Sequence, residues 1–333
     1  MYYAMLLGAS FLFGSQFMVT KAFEKNYGKT IRTSLSFSLL YSLFAGVIFF
    51  MIKLISSGTA FNLNPFSLCM AFGLSLVNIL SSAFGIKTLA LGDIAVYSLF
   101  LMLGGMIVPF FAGVIFLKES VSVCNLIGVA IMIFALCLPV FFGKKNKNAE
   151  ETQGEDGVKQ SGGIKQNDDA EKGGAKIKTS VIFYVLCVFL FILNGLSSTL
   201  SKFNSVREGA ALGAEFTFYT YGIQFVVSLV AFALIKAFGK SDKSQSEKKQ
   251  PVVLFQPKAI GCGAVFGAVN GTAFLLSSIA AEHVAAVAQY PLITGATILF
   301  SSLLAFLFYR EKPTALQLVQ IAISFAATIL FMF

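Results

Sequence analysis

Residues 93–116 read DIAVYSLFLMLGGMIVPFFAGVIF, a run whose only charge is Asp93 at its start. A helix needs about 20 mostly apolar residues to cross the hydrocarbon core of a bilayer, so this run is long enough to span one. It does not alternate apolar with polar, as a half-wet strand would, and in lipid only helices or closed barrels satisfy every backbone group. Moving outward, Leu117-Lys118-Glu119-Ser120 closes the run with charge and a second apolar stretch follows at once. The same ruler finds ten such stretches, at 2–23, 33–55, 65–87, 93–116, 122–142, 180–202, 215–237, 259–280, 284–308 and 315–333. The fold expected is all-α and integral to a membrane, with ten transmembrane helices.

Composition agrees. Apolar residues make up 56% of the 333 positions and charged residues only 12%, against about 45–50% and about 25% in soluble domains. Mean hydropathy is +0.80. The net charge of +9 comes from Lys and Arg in short runs between apolar stretches. That is loop chemistry rather than a nucleic-acid footprint, so no nucleic acid is expected as a partner. Met1-Tyr2-Tyr3 leads directly into the first stretch without a basic n-region, so that stretch is expected to remain as a helix.

Two segments break the pattern. Residues 143–179 hold eight Lys and seven acids with almost nothing to bury, the composition of a flexible polar linker. A shorter polar insert occupies 239–258. The layout is therefore 1–142 as a first five-helix repeat, 143–179 as linker, and 180–333 as a second five-helix repeat.

The halves look alike in detail. Phe72-Gly73 precede Asn78, and Phe266-Gly267 precede Asn270. Asn78 to Glu119 and Asn270 to Glu311 are both 41 residues apart. Upstream, Gly14 to Lys21 matches Gly195 to Lys202, with an offset eleven residues shorter that the 239–258 insert absorbs. Five helices per half is an odd number, so the second copy must enter from the opposite face. The expectation is two inverted five-helix repeats with a site near the midplane between them.

This five-plus-five layout resembles the EamA-type branch of the drug/metabolite transporter superfamily. The Gly- and Ser-containing first helix ending at Lys21, and the hairpins closing in Lys118-Glu119 and Arg310-Glu311, carry the resemblance. Pro109, after Gly104 and Gly105, fits that family's Pro in the fourth helix. The second half departs, with Pro291 early in its fourth helix and Ser301 where Pro109 would fall. The resemblance implies a secondary carrier in the plasma membrane with both termini cytoplasmic.

Polar side chains at membrane depth are costly and are candidates for function. Gln16, Asn194, Asn78, Asn270, Gln289, Tyr97 and Tyr290 are the candidate substrate-binding set, with Gln224 and Tyr219 also deep. Amides donate and accept, which suits a small polar metabolite that is amino-acid-like, sugar or nucleotide-type. The competing role for the same residues is hydrogen bonding between helices. Gly104, Gly105, Pro109 and Pro291 are candidates for packing or gating. Lys21, Lys202, Glu119 and Glu311 fall at helix ends, where snorkelling to the interface explains them. Residues 2–20 contain no acid, unlike the first helix of the small multidrug-resistance branch. That weighs against the alternative of an exporter of drug-like or cationic compounds.

Other classes fare worse. One histidine, His283, rules out HExxH, and no paired intramembrane Asp is present, so an enzyme is not expected. Cys69, Cys124, Cys137, Cys187 and Cys262 all lie in apolar runs without metal-ligand spacing, so neither metal nor other cofactor is expected. A channel would carry a legible pore motif. The partners expected are a small-molecule substrate and the lipid bilayer, with the chain a monomer or homodimer. All but four of the 25 basic residues (Lys53, Lys118, Lys202, Arg207) fall on the face opposite the termini. By the positive-inside rule that face is cytoplasmic, contrary to the termini implied by the resemblance.

Overall fold

The computed structural model describes residues 1–28, 30–57, 60–91, 94–142, 169–238, 254, 256–309 and 315–331. Ten α-helices and no strands are found among them. The first five are α1 (Tyr2–Tyr27), α2 (Ile31–Ser57), α3 (Pro65–Leu91), α4 (Ile94–Ile115) and α5 (Val123–Phe142). The second five are α6 (Asp169–Val206), α7 (Gly213–Phe238), α8 (Pro257–Ala281), α9 (Ala286–Tyr309) and α10 (Ala315–Leu330). Eight contain stretches long and apolar enough to cross a membrane; the apolar parts of α5 and α10 are shorter. The chain is thus a multi-pass integral membrane protein by length and composition of its helices.

Helix ends follow local chemistry. Asn64 Oδ1 accepts the Phe66 amide ahead of α3, and Thr30 Oγ1 accepts the Thr33 amide ahead of α2, each satisfying an orphan donor. Pro257 opens α8 at a position where a missing N–H costs nothing. Gly28 ends α1 at φ 79°, in the left-handed region that glycine enters freely. The apolar ruler misplaces one boundary: α6 begins at Asp169, inside the expected 143–179 linker. Span length reads only the part that faces lipid, and polar turns can prolong a helix beyond it. Residues 143–168, most of the 239–258 insert and the charged turn at 310–314 lie outside the described residues.

Most packing is between halves rather than within them. α1 lies on α8 and α9, α6 on α3 and α4, α2 on α7 and α8, and α3 on α7. α4 meets α9, and α5 meets α10. Side-chain pairings give directions. Lys53 meets Glu215 at one end of the α2–α7 seam and Ser38 meets Ser228 towards the other, so the two are antiparallel. Asn78–Ser197 and Phe84–Phe189 make α3 and α6 antiparallel as well. α4 runs parallel to α6, with Asn194 bonded to Leu101 and Phe203 against Phe116.

Close approach is made possible by missing side chains. A Cβ on Gly104 would stand 2.1 Å from the Phe191 carbonyl oxygen, so the α4 and α6 backbones touch there. On α8, a Cβ on Gly267 would stand 2.6 Å from the Tyr41 carbonyl oxygen of α2. In lipid, where apolar burial gives little drive between helices, such contact is a main source of association.

Candidate functional site

A cavity of about 260 Å³ opens between α1, α2, α3, α4 and α8, at the face that carries the polar linkers. Two helical stripes contribute to it. Gln16, Thr20 and Glu24 are spaced four apart on α1, and Thr33, Phe37 and Tyr41 are spaced four apart on α2. Residues four apart share a helix face, so each stripe points one way. Ser81 and Ser82 of α3 and Tyr97 of α4 add hydroxyls, and the Tyr97 hydroxyl sits close over Gly85. Aromatic rings of the lining pack on one another: Phe23 to Phe37 at 4.3 Å, Phe37 to Phe266 at 4.9 Å and Tyr41 to Phe266 at 4.8 Å. Glu24, one turn from the end of α1, is the only charged side chain on the described lining.

A buried polar layer, the floor, adjoins the cavity lining through the Tyr41 hydroxyl. Gln224 is fully buried, and its Nε2 donates to the Tyr41 hydroxyl and, at 3.2 Å, to Ser38 Oγ. Ser38 and Ser228 hydroxyls meet at 3.0 Å, and Asn270 Nδ2 donates to the Tyr221 hydroxyl at 2.9 Å. Oε1 of Gln16 on the cavity wall and Oε1 of Gln224 in the floor are buried without a protein partner. An unmatched buried acceptor is costly to leave so.

Two inter-half ion pairs tie the helices together at the opposite face. Lys53 Nζ pairs with Glu215 Oε2 at 3.2 Å, and Glu215 Oε1 accepts the Tyr219 hydroxyl at 2.8 Å and the Asn62 amide. Asn62 and Asn64 side chains both donate to the Gly209 carbonyl, tying the α2–α3 turn to the α6–α7 turn. A second polar hollow of about 350 Å³ between Lys53, Ser56, Glu215 and Glu282 lies on this side. The second seal is a corner clamp. Lys202 Nζ donates to the carbonyls of Ala281 (2.7 Å) and Val284 (2.6 Å), while Glu119 accepts the amides of Ala286 (2.9 Å) and Val287 (3.1 Å). The two charges stand 3.7 Å apart. Cation on carbonyls at the end of α8, and anion on amides at the start of α9, each match the local helix dipole. Snorkelling therefore does not describe this pair, because Lys202 is only 3% exposed. Its buried carbonyl partners lie across the bundle, which leaves no reason to reach for water. Lys21 is exposed, as expected of a snorkelling residue, and Glu311 lies outside the described residues.

The sequence-derived candidates divide. Gln16 and Tyr97 line the cavity, and Asn270 sits in the polar floor. The others bridge helices: Ser197 Oγ donates to Asn78 Oδ1 at 3.2 Å, Asn194 Nδ2 to the Leu101 carbonyl at 2.6 Å, and the Tyr290 hydroxyl to the Ser198 carbonyl at 2.6 Å. Gln289 Nε2 donates to the Ser277 carbonyl and hydroxyl across the α8–α9 hairpin. Gly104 and Gly105 form the α4–α6 contact, and Pro109 and Pro291 lie inside α4 and α9. Tyr219 belongs to the seal rather than the cavity. Thr20, Thr33, Ser34, Ser81 and Ser82 went unnoticed, although the four-residue stripes of α1 and α2 hold the signal. No cluster of His, Cys, Asp or Glu able to hold a metal occurs among the described residues.

Comparison with known proteins adds the fold alone. No family model and no curated protein matches the sequence. Among solved structures 28 chains match. One, described only as "Crystal structure of protein", covers 100% of this chain and 98% of its own, with a TM-score of 0.67 and 12% identity. This helical arrangement therefore exists in a protein of very different sequence.

Proposed function

We propose that this chain is a secondary carrier that moves a small polar metabolite across a membrane by alternating access. The observation that carries the reading is the asymmetry of the two faces. A cavity lined by hydroxyls, an amide and aromatic rings opens on the linker face, while inter-half ion pairs join the helices at the other face beside a separate polar hollow. A volume of about 260 Å³ falls below the about 300–1,000 Å³ of drug-sized sites, which favours a small solute.

All ten helices cross the membrane in this reading, as two inverted repeats. The packing pairs support it. Replacing each helix by its counterpart five places on turns α1–α8 into α6–α3, α1–α9 into α6–α4 and α2–α8 into α7–α3, while α2–α7, α4–α9 and α5–α10 map onto themselves. α1 runs parallel to α9, whereas α6 runs antiparallel to α3 and parallel to α4. An exchange of roles between two similar halves is the simple way to pass from one open face to the other. The resemblance to EamA-type carriers fits the same architecture, and a plasma-membrane location goes with it. Sealed vesicles test the reading through one cysteine on the cavity wall: a carrier exposes it to one face at a time, and a channel exposes it to both.

A further inference from the structure

We infer that Asn270 is a switch: its amide, bonded here to Tyr221, passes to Gln16 when the linker face closes. The switch presupposes the carrier reading with its two inverted repeats, and it names a bond that is exchanged within them. Equivalent positions in the halves make equivalent contacts. Gly14 and Gly195 each stand seven residues before a lysine, and Val108 and Phe300 each stand eleven before a glutamate. A Cβ on Gly195 would run into the Val108 side chain, and a Cβ on Gly14 would stand 3.1 Å from the Phe300 Cβ. By the same count Tyr97 is equivalent to Gln289 and Gly85 to Ser277. The Tyr97 hydroxyl lies over Gly85, and Gln289 Nε2 donates to Ser277.

The Asn78 contact breaks this correspondence. Asn78 Oδ1 accepts the Ser197 hydroxyl between α3 and α6. The equivalent residues are Asn270 on α8 and Gln16 on α1. Asn270 Nδ2 instead donates to the Tyr221 hydroxyl of α7 at 2.9 Å, and Gln16 Oε1 is buried with no hydrogen-bond partner among the described residues. The two side chains are placed to meet. α1 runs antiparallel to α8, where a Cβ on Gly8 would stand 3.7 Å from Leu276 Cδ1, so Gln16 and Asn270 lie within two residues of one level. Gln16 is the inner end of the α1 stripe, and Asn270 lies one turn inward of the cavity-lining Phe266, on the same face of α8. Burial divides the halves in the same way. Thr20 is partly exposed and Lys21 exposed, whereas their counterparts Ser201 and Lys202 are buried. The α3–α6 seam is thus the closed copy of a joint whose open copy is α1–α8. Closing the open copy gives Gln16 Oε1 the donor it lacks, which offsets the loss of the Tyr221 bond.

The test uses two single-cysteine reporters at equivalent sites, Thr20→Cys on the cavity wall and Ser201→Cys at its buried counterpart. Each is placed in the full-length chain with the five native cysteines replaced. A membrane-impermeant maleimide is applied to one face of sealed vesicles. The quantity read is the rate at Ser201→Cys from the terminus face divided by the rate at Thr20→Cys from the linker face. Gln16→Met keeps the length of the side chain without its amide, and should lower this ratio about threefold, the worth of one interhelical hydrogen bond. Tyr221→Phe removes only the bond of the open state, and should raise the ratio about threefold. Damage to the fold would not move it in opposite directions. In an Asn270→Leu chain neither substitution should change it, because both act through that amide. The switch is overturned if the two variants leave the ratio unmoved, move it the same way, or keep their effects without Asn270. Any of these with each reporter still labelled from its own face removes the switch and keeps the carrier. Equal labelling of either reporter from both faces, or a Ser201→Cys that stays unlabelled in every chain, contradicts both.

Discussion

Glu119→Gln is the sharpest probe of the sealed face. The substitution keeps the shape of the side chain and removes its charge. Glu119 accepts two amides at the start of α9 and stands 3.7 Å from the Lys202 ammonium, with side chains 13% and 4% exposed. Removing one partner of a buried pair costs about 3–5 kcal/mol, because the other charge is left uncompensated. Here the lower end applies. The pair is longer than the about 2.7–2.9 Å of a strong charged hydrogen bond, and Lys202 keeps its two carbonyl partners. About 3 kcal/mol is the expected loss. Lys202→Met leaves Glu119 held by its two amides and should cost about 2 kcal/mol, the penalty of two stranded carbonyls. If the charges work as one clamp, the double variant should cost about 3 rather than about 5 kcal/mol, a coupling within the range seen for residues in one network. The assay is reversible denaturant unfolding in mixed micelles, run on all four proteins. Loss of less than about 0.5 kcal/mol in Glu119→Gln, or additivity of the singles to that margin, would refute the clamp.

Two further outcomes follow from the packing. Gly104→Ala places a methyl 2.1 Å from the Phe191 carbonyl, so α4 and α6 must part; a loss of about 1–3 kcal/mol is expected from overpacking, measured by the same unfolding assay. Asn78→Ala removes the acceptor of Ser197 and should cost only about 0.6 kcal/mol with normal insertion; a fall in transport well beyond the fall in folded protein would return Asn78 to the solute path.

The helices were legible because a span announces itself by length and apolarity, which nothing else in a chain imitates. The boundary at Asp169 was not, since the ruler stops where lipid stops. The candidate site was legible in part. Deep amides were the natural suspects, yet Asn78, Asn194 and Gln289 serve helix contacts, because lipid offers a buried amide no other partner. The residues that face the cavity are mostly ordinary Ser and Thr, which bond back to their own helix as readily as to a solute. Thr20 does this, donating to the Gln16 carbonyl at 3.1 Å. Periodicity with Gln16 and Glu24 distinguishes it, not residue type. Lys202 and Glu119 were misjudged for another reason. Each sits at a helix end by the hydropathy ruler, and only the folded bundle brings the α8–α9 corner between them.

The central claim is that one face opens while the other is closed. Its most direct measurement is the labelling of Ser82→Cys, on the cavity wall, by a membrane-impermeant maleimide in sealed vesicles of known orientation. The background is a chain whose five native cysteines are replaced. Labelling is expected from the linker face and protection from the terminus face, with Glu215→Gln, which breaks the pair to Lys53, raising the rate from the terminus face and lowering it from the other. Equal labelling from both faces in the unaltered seal, or labelling from the terminus face alone, would contradict it.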